Sequence, residues 1–368
     1  MLKLPFGKLP LGNFLYICAV KNENLKNMNA PFQYGTLATR ENFVDRVEDR
    51  AQLKNFLSSH INVILVSPRR WGKSSLVKVA MEELQEEDKD VRVCYIDAFS
   101  IGSEAEFYRT FASQVTACAD AQFIPKEQDK MDILQLPEVL AEAMNIKIIV
   151  CISEFQQLVN LPEYKDMEGK MRSAWQQQER VSYCLYGSKR HMMLDIFNNS
   201  NSPFYRFGQL LFLNKIPKEK WMPFIVETFE KSGKQISDEF ASRICDTTEC
   251  HSWYLQQCCY FVWNASAKEV TEESFNYGLR QMINTNSPMF QSDTETLAAS
   301  QIEMLRAIRD GVLQLSSAEA RAKYHLGNPN TISKNKKVLQ NKDIVEMQGG
   351  RLVFLDPIYR LWFSKEYE

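Results

Sequence analysis

Short apolar runs alternate with amphipathic stretches over the first 215 residues of the chain. The apolar runs are rich in β-branched residues and predict buried strands at 61–66, 91–97, 147–152, 181–187 and 207–213. Helical spacing follows or precedes each of them, at 76–84, 104–118, 137–144, 163–179 and 191–197. A further helical pattern around Phe56 leads into the first strand. Strands that alternate with helices predict an α/β fold, a parallel sheet with helices on both faces.

The pattern turns helical from Pro217. Four helices are predicted at 221–230, 238–245, 254–263 and 272–283. Three more, at 301–309, 317–324 and 330–340, precede two short strands at 344–348 and 351–355, which Gly349-Gly350 joins in a tight hairpin. Three helices and a hairpin are typical of a winged helix. We therefore expect an extension outside the fold (1–27), an α/β core (28–215), an all-helical lid (216–295) and a winged helix (296–368).

Composition and charge narrow the class of protein. A chain of 368 residues with 45% hydrophobic and 24% charged residues is typical of a soluble globular protein of two or three domains. The net charge of −2 provides no overall attraction to nucleic acid, so any such site must be local. Nine scattered cysteines without zinc-ligand spacing favour a reducing, cytoplasmic setting. No apolar run approaches the ~18 residues that a membrane span needs, so no membrane partner is expected.

The first strand leads directly into a loop that can bind phosphate. The loop reads Ser67-Pro68-Arg69-Arg70-Trp71-Gly72-Lys73-Ser74-Ser75, and a helix follows it. A helix N-terminus after a tight loop holds anions with its unpaired N–H groups and its dipole. Gly72 lets the backbone approach the phosphates, Lys73 reaches the β- and γ-phosphates, and the Ser74 hydroxyl ligates Mg²⁺. Ser67 stands where the motif usually has its first glycine.

Polar side chains follow the third and fourth strands. In nucleotide hydrolases of this kind two acids follow the third strand, but here the pair is Ser153-Glu154. Glu154 is predicted to polarise a water beside the γ-phosphate, unless it is only a solvated acid. Ser153 offers Mg²⁺ a hydroxyl without negative charge, and Asp97 at the end of the second strand could compensate. Ser188 could sense the γ-phosphate, cap the next helix, or do both.

Three other positions have both a functional and a structural interpretation. Arg206, just before the fifth strand, could reach a phosphate in its own or a neighbouring subunit, or form a surface ion pair. His251, at the start of the third lid helix, could face the nucleotide or be packed. The segment Phe43–Arg46 could border the base or simply pack.

The winged helix carries a local positive charge. Between residues 318 and 342 there are six basic residues and one acid. Lys334, Lys336 and Lys337 lie on the predicted recognition helix and could meet DNA phosphates. Nothing there specifies base readout, so a protein-contact or regulatory role is the alternative.

These motifs together resemble a known family, the prokaryotic AAA-type P-loop ATPases with an archaeal-ATPase-like core, related to the STAND and origin-recognition-like clades. The matching segments are 29–35, 43–46, 67–75, 153–156, 186–188, 202–206 and 356–363. The resemblance implies ATP and Mg²⁺ as ligands, with Glu154, Ser188 and Arg206 in catalysis and Phe43, Arg46 and His251 beside the nucleotide. Ser153 and Cys250-His251-Ser252 depart from the family's Asp-Glu-Phe-Gln and Gly-His-Pro motifs, which puts the hydrolysis rate and the role of His251 in question.

The leading hypothesis is an ATPase that couples Mg-ATP binding and hydrolysis to rearrangement of lid and winged helix, releasing ADP. The alternatives are a nucleotide-gated switch with weak turnover and an ATP-dependent DNA-binding protein. A DNA or protein partner at the winged helix, and assembly into an oligomer, are left open.

Overall fold

The computed structural model describes residues 30–38, 42–121 and 130–367, and the side chains of 130–132 are not considered. The predicted extension, 1–27, therefore lies outside the described residues. No helix in the described part of the chain is long and apolar enough to cross a bilayer.

The central sheet has five parallel strands in the order β2-β3-β4-β1-β5. The strands are β1 (Val63–Val66), β2 (Val91–Asp97), β3 (Lys147–Ser153), β4 (Val181–Gly187) and β5 (Gln209–Phe212). In the register Val66 lies opposite both Gly187 and Phe212, and Asp97 lies opposite Ser153. The carboxyl ends of the strands therefore meet at one edge, and the predicted α/β class is confirmed.

Helices cover both faces of this sheet. They are α1 (Val47–Ser58), α2 (Lys73–Glu87), α3 (Glu104–Cys118), α4 (Lys130–Met144), α5 (Tyr164–Trp175) and α6 (Arg190–Phe197). Alternate residues of β1 enter different cores: Val63 and Leu65 pack with residues of α1 and α2, whereas Ile64 and Val66 pack with α3 to α6. Side chains of a strand point alternately to its two faces, so a strand buried on both faces must be apolar throughout.

The lid consists of α7 (Lys218–Lys231), α8 (Asp238–Thr247), α9 (Ser252–Ala265) and α10 (Glu272–Glu295). The winged helix consists of α11 (Ala299–Arg309), α12 (Ala318–Lys323), α13 (Pro329–Asn341), the antiparallel strands β6 (Val345–Gln348) and β7 (Arg351–Phe354), and α14 (Pro357–Glu366). The sequence analysis missed α14 and ended α10 a dozen residues early.

Lid and winged helix share one hydrophobic core. The apolar side chains of α7 to α14 form a single buried cluster, separate from the two cores that flank the sheet. The junction is aromatic: the Phe290 ring on α10 lies 5.4 Å from Tyr359 and 5.8 Å from Trp362 on α14. The two regions therefore pack as one unit, called here the lid–winged-helix body.

Candidate nucleotide site

The loop between β1 and α2 has the backbone of an anion site. Helix α2 begins at Lys73, and its N-cap Gly72 has φ 92°, a conformation that glycine adopts without strain. Ser67 fits in place of the motif's usual first glycine: it is almost fully buried, its N–H donates to the Gly187 carbonyl at 3.3 Å and its hydroxyl to the Pro68 carbonyl at 2.9 Å. The loop thus presents the amino end of a 15-residue helix at the carboxyl edge of the sheet.

Lys73 and Glu154 form a half-buried ion pair at this edge. The Lys73 side chain is 6% exposed, and its Nζ lies 3.3 Å from Glu154 Oε1. Burial lowers the pKa of Lys73, and the Glu154 charge opposes that shift. Burial raises the pKa of Glu154, but the Lys73 charge and hydrogen bonds from Ser188 and Gln156 leave it below its ordinary value. Glu154 is therefore ionised at neutral pH and held beside the cation of the loop.

Ser188 and Gln156 fix the second oxygen of Glu154. The Ser188 hydroxyl and the Gln156 amide each donate to Glu154 Oε2 at 2.7 Å. Ser188 is not a helix cap, because α6 begins at Arg190 and its N-cap residue, Lys189, makes no side-chain cap bond. A side chain at Gly187 would place a Cβ 2.0 Å from Gln156 Oε1. The solvated-acid interpretation of Glu154 is accordingly not supported.

Ser153 and Asp97 form a second pair of oxygen ligands at the same edge. Register sets the ends of β2 and β3 side by side, and the Ser153 hydroxyl donates to Asp97 Oδ1 at 2.8 Å. The same oxygen accepts from the Phe99 N–H at 3.1 Å. Mg²⁺ prefers oxygen ligands and commonly takes only one or two carboxylates, the rest being phosphate and water oxygens. No group of three or more His, Cys, Asp or Glu in the described residues forms a metal cage. The Ser153 hydroxyl and the Asp97 carboxylate are oxygen groups of the kind that Mg²⁺ takes, and Ser74 supplies a further hydroxyl at the first turn of α2.

A cavity of about 350 Å³ opens beside the loop. Its floor is the loop from Arg70 to Ser75, and its walls come from residues 33–38, the segment Phe43–Arg46 and the lid. Aromatic side chains dominate the walls: Tyr34, Phe43, Trp71, Trp221 and Trp253. The volume falls in the range typical of small-molecule sites.

Several polar atoms around this cavity are buried without a hydrogen-bond partner. They are Nε1 of Trp71, Trp221 and Trp253, and Oε1 of Gln256. Unpaired buried polar atoms are rare in proteins and call for an explanation. All four belong to residues that line the cavity, so its walls hold hydrogen-bonding groups without a partner within the described residues.

Phe43 and Arg46 both line the cavity, and Arg46 also supports the loop. Its side chain is 5% exposed; Nη2 donates to the Trp71 carbonyl at 3.2 Å and Nη1 to Asp49 at 3.1 Å.

His251 lies beside the loop, its ring centroid 6.5 Å from that of Trp71, and it does not line the cavity. Burial, with the charges of Lys215 and Arg70, lowers its pKa to about 3, so it is neutral. Direct contact of His251 with the nucleotide is not supported.

Arg206 lies at the opposite edge of the sheet. Gln209 pairs with Val63 at the amino end of β1, whereas the loop leaves β1 after Val66. The amino and carboxyl edges of the sheet are therefore separated by the length of β1, four residues at ~3.3 Å per residue. Arg206 is exposed and lies over its neighbour Tyr205, 5.1 Å from the ring centroid. The structure thus does not bring it to the phosphate loop of its own chain; a role in a neighbouring subunit stays a prediction.

The sequence analysis missed the residues that close the site from the lid and the amino-terminal segment. Trp253 and Gln256 lie on α9, about 180 residues after the loop. Tyr34 packs on Trp253 at 5.9 Å, and the Ala38 N–H donates to Ser75 Oγ at 3.0 Å. The run of aromatic residues in α9 was the feature of the sequence that could have indicated a ligand cavity. Periodicity alone, however, assigns such a run to the hydrophobic core.

The fold and the loop define a P-loop ATPase architecture with a helical lid and a winged helix, and solved structures share it. The Walker-type ATPase of Pyrococcus abyssi superposes with a TM-score of 0.74 at 15% identity, covering 91% of this chain and 99% of that one. The ORC2 protein of Aeropyrum pernix, in ADPNP and ADP complexes, gives 0.62 at 16% identity, covering 91% and 99%. The ORC1 protein of the same organism, in complex with DNA, gives 0.52 at 10% identity, covering 88% and 93%.

Neither a protein-family model nor a curated protein sequence matches the chain. At identities this low the structural likeness shows the fold alone. The predicted resemblance to AAA-type P-loop ATPases is thereby confirmed as a resemblance of architecture.

Proposed function

We propose that the chain binds ATP with Mg²⁺ and hydrolyses it, and that this moves the lid–winged-helix body relative to the core. The observation that carries the proposal is the Lys73–Glu154 pair, 3.3 Å apart, at the amino end of α2 and beside the aromatic cavity. A phosphate-binding cation, an ionised carboxylate and a base-sized pocket are the three parts that such a reaction needs.

Each group has a role in this proposal. Lys73 and the loop N–H groups bind the phosphates, and the tryptophans with Gln256 hold the base. Glu154 orients the attacking water and accepts its proton, while Ser188 and Gln156 keep the carboxylate in place. Ser74, Ser153 and Asp97 would hold Mg²⁺, which when bound offsets the phosphate charge. Arg206 acts only if a neighbouring subunit presents it.

The walls of the cavity support coupling. The core contributes the loop, whereas the lid contributes Trp221, Trp253 and Gln256. A nucleotide in the cavity therefore contacts both bodies, and any difference between the ATP and ADP contacts can shift their relative position.

The first test is binding and phosphate release by the full-length chain with Mg²⁺ and labelled ATP. Saturable binding together with phosphate release above the uncatalysed rate is expected. Binding without any release would favour the second candidate, a nucleotide-gated switch. The observation that favours the switch is Ser153, which supplies no charge where an acid is usual. No binding would contradict both.

Ser153→Asp separates the ATPase from the switch. An acid here adds a second carboxylate beside Asp97, so we expect half-maximal turnover at roughly tenfold lower Mg²⁺ and faster phosphate release. Ser153→Asn is the matched control, because Asn has the shape of Asp without its charge. Equal rates in wild type, Ser153→Asp and Ser153→Asn would show that Ser153 does not limit hydrolysis.

A DNA-binding role rests on the exposed basic face of α13. Lys334 and Lys337 are exposed and Lys336 is half-buried. Changing all three to Gln is expected to weaken DNA binding uniformly across sequences and to reduce the salt slope by about 3, about 1 per phosphate contact. A variant that neutralises the exposed Lys78, Lys165 and Lys231 loses the same charge elsewhere and serves as the control. Equal DNA affinity in the two triple variants would contradict DNA binding through α13.

A further inference from the structure

Basic side chains at the phosphate end of the core face acidic side chains of the lid–winged-helix body. The basic groups are Arg69, Arg70, Lys189, Arg190 and Lys215, called here the basic rim. The acidic groups are Glu249, Asp343, Glu346 and Asp356, called here the acidic face. The rim includes two residues of the phosphate loop itself.

The strongest connection runs through Arg70, which also lines the cavity. Its guanidinium lies 4.6 Å from the centroid of the Trp253 ring and also interacts with the Tyr254 hydroxyl. Tyr254 is fully buried, and its hydroxyl donates to Asp356 Oδ2. Burial raises the pKa of Asp356, and the Arg70 charge opposes that shift. One chain of contacts thus joins the phosphate loop, the lid and the winged helix.

A second connection runs through Glu249. Lys215, which follows β5, places Nζ 3.4 Å from Glu249 Oε2, and Arg360 of α14 places Nη2 2.8 Å from Oε1. Lys215 also lies 5.5 Å from the centroid of the Trp71 ring in the loop. Glu249 therefore bridges the core and the winged helix, and its core partner Lys215 also contacts the loop.

The turn before β6 and β6 itself bring two more acids, Asp343 and Glu346, to the rim. Asp343 is half-buried with φ 55°; burial raises its pKa, and Arg69, Lys189 and His191 oppose the rise. Burial likewise raises the pKa of Glu346, against Lys215 and Arg190.

We propose that the nucleotide phosphates and the acidic face compete for the basic rim, so that ATP loosens docking of the lid–winged-helix body more than ADP does. The inference rests on the proposed function, because it assumes that the phosphates bind at the loop. ATP carries one more phosphate charge than ADP and extends it toward Glu154 and Asp343. Because lid and winged helix share one core, the body moves as a unit when its contacts with Arg70 are lost.

Thermodynamic linkage gives a sharp test. If phosphates weaken docking, then weaker docking must tighten phosphate binding by the same factor. Asp356→Asn removes the charge while Asn still caps α14, whose Ile358 and Tyr359 N–H groups donate to this side chain at 2.9 Å. Tyr254→Phe removes only the hydroxyl. Both variants are expected to raise the ratio of ATP-analogue affinity to ADP affinity about fivefold over wild type, because the base contacts with the lid are common to the two nucleotides.

Tyr324→Phe is the matched control, since its hydroxyl donates to Asp310 at 2.8 Å inside the winged helix and touches no loop residue. Docking is read directly by energy transfer between dyes on noncanonical amino acids at the exposed positions 142 and 351. In wild type the transfer efficiency is expected to fall more with the ATP analogue than with ADP. In Asp356→Asn the efficiency is expected to be lower than in wild type even before nucleotide is added.

An unchanged or lower ratio of analogue affinity to ADP affinity in both Asp356→Asn and Tyr254→Phe would overturn the competition, as would equal transfer efficiency with ATP analogue and ADP. A wild-type chain that binds neither nucleotide would instead contradict the proposed function, so the two failures are distinguishable.

Discussion

Lys73→Ala is expected to weaken ATP binding by roughly 10- to 100-fold. Hydrogen bonds between charged groups contribute about 1.5–3 kcal/mol, and each 1.4 kcal/mol is a factor of ten in affinity. Lys73 is buried at the first turn of α2, so no other lysine or arginine of that turn can replace it. Isothermal titration of the full-length variant with ATP and Mg²⁺ measures the loss.

The matched control is Lys78→Ala. Lys78 lies on the same helix, is exposed, and has only a 3.9 Å ion pair with Glu82. The control should bind ATP like the wild type and melt at a similar temperature. If Lys73→Ala also bound ATP with wild-type affinity, the phosphates could not lie at this loop.

Glu154→Gln is expected to leave ATP binding nearly intact and to reduce phosphate release at least ~100-fold. Gln has the shape of Glu and can still accept the Ser188 bond, but it cannot take a proton from water, a role that contributes about 10²–10⁴ to rate. Removing the carboxylate also frees Lys73 from its ion pair, so affinity should rise slightly rather than fall.

Single-turnover phosphate release measures the effect on chemistry, and a binding titration shows that the site is still occupied. The exposed Glu142→Gln removes one carboxylate elsewhere in the core and should behave as wild type. Wild-type release from Glu154→Gln would mean that another group activates the water.

The sheet and the loop were predictable because their signals are local. Fully apolar runs mark strands buried on both faces, and the predicted ranges for β2, β4 and α3 agree with the structure. The loop follows β1 directly, so the position of Lys73 and Ser74 at the start of α2 was predictable. The closeness of Glu154 and Ser188 was predictable as well, since strand ends of a parallel sheet share an edge.

The walls of the cavity were not predictable, because they depend on how distant segments pack. Tyr34, Trp221 and Gln256 meet only when the lid folds over the loop. Helix α14 was not predicted, although Asp356 is a good N-cap residue and Pro357 a good first-turn residue. Both were interpreted as part of a family motif and not as the start of a helix.

Arg206 shows what the strand topology adds to the motif. A residue that precedes a parallel strand lies at the amino edge of the sheet, whereas phosphate loops lie at the carboxyl edge. The predicted topology therefore already argued against a role for Arg206 in its own subunit. The prediction had left open whether Arg206 acts in its own subunit, acts in a neighbouring one, or forms a surface ion pair.

The most direct measurement of the central claim is a crystal structure of the full-length chain with Mg²⁺ and a non-hydrolysable ATP analogue. The account predicts the phosphates at the amino end of α2 with Lys73 Nζ in contact, Mg²⁺ near Ser74, and the base between Tyr34 and the lid tryptophans. A structure with the analogue bound elsewhere, or with Lys73 still paired to Glu154 and no phosphate at the loop, would contradict it.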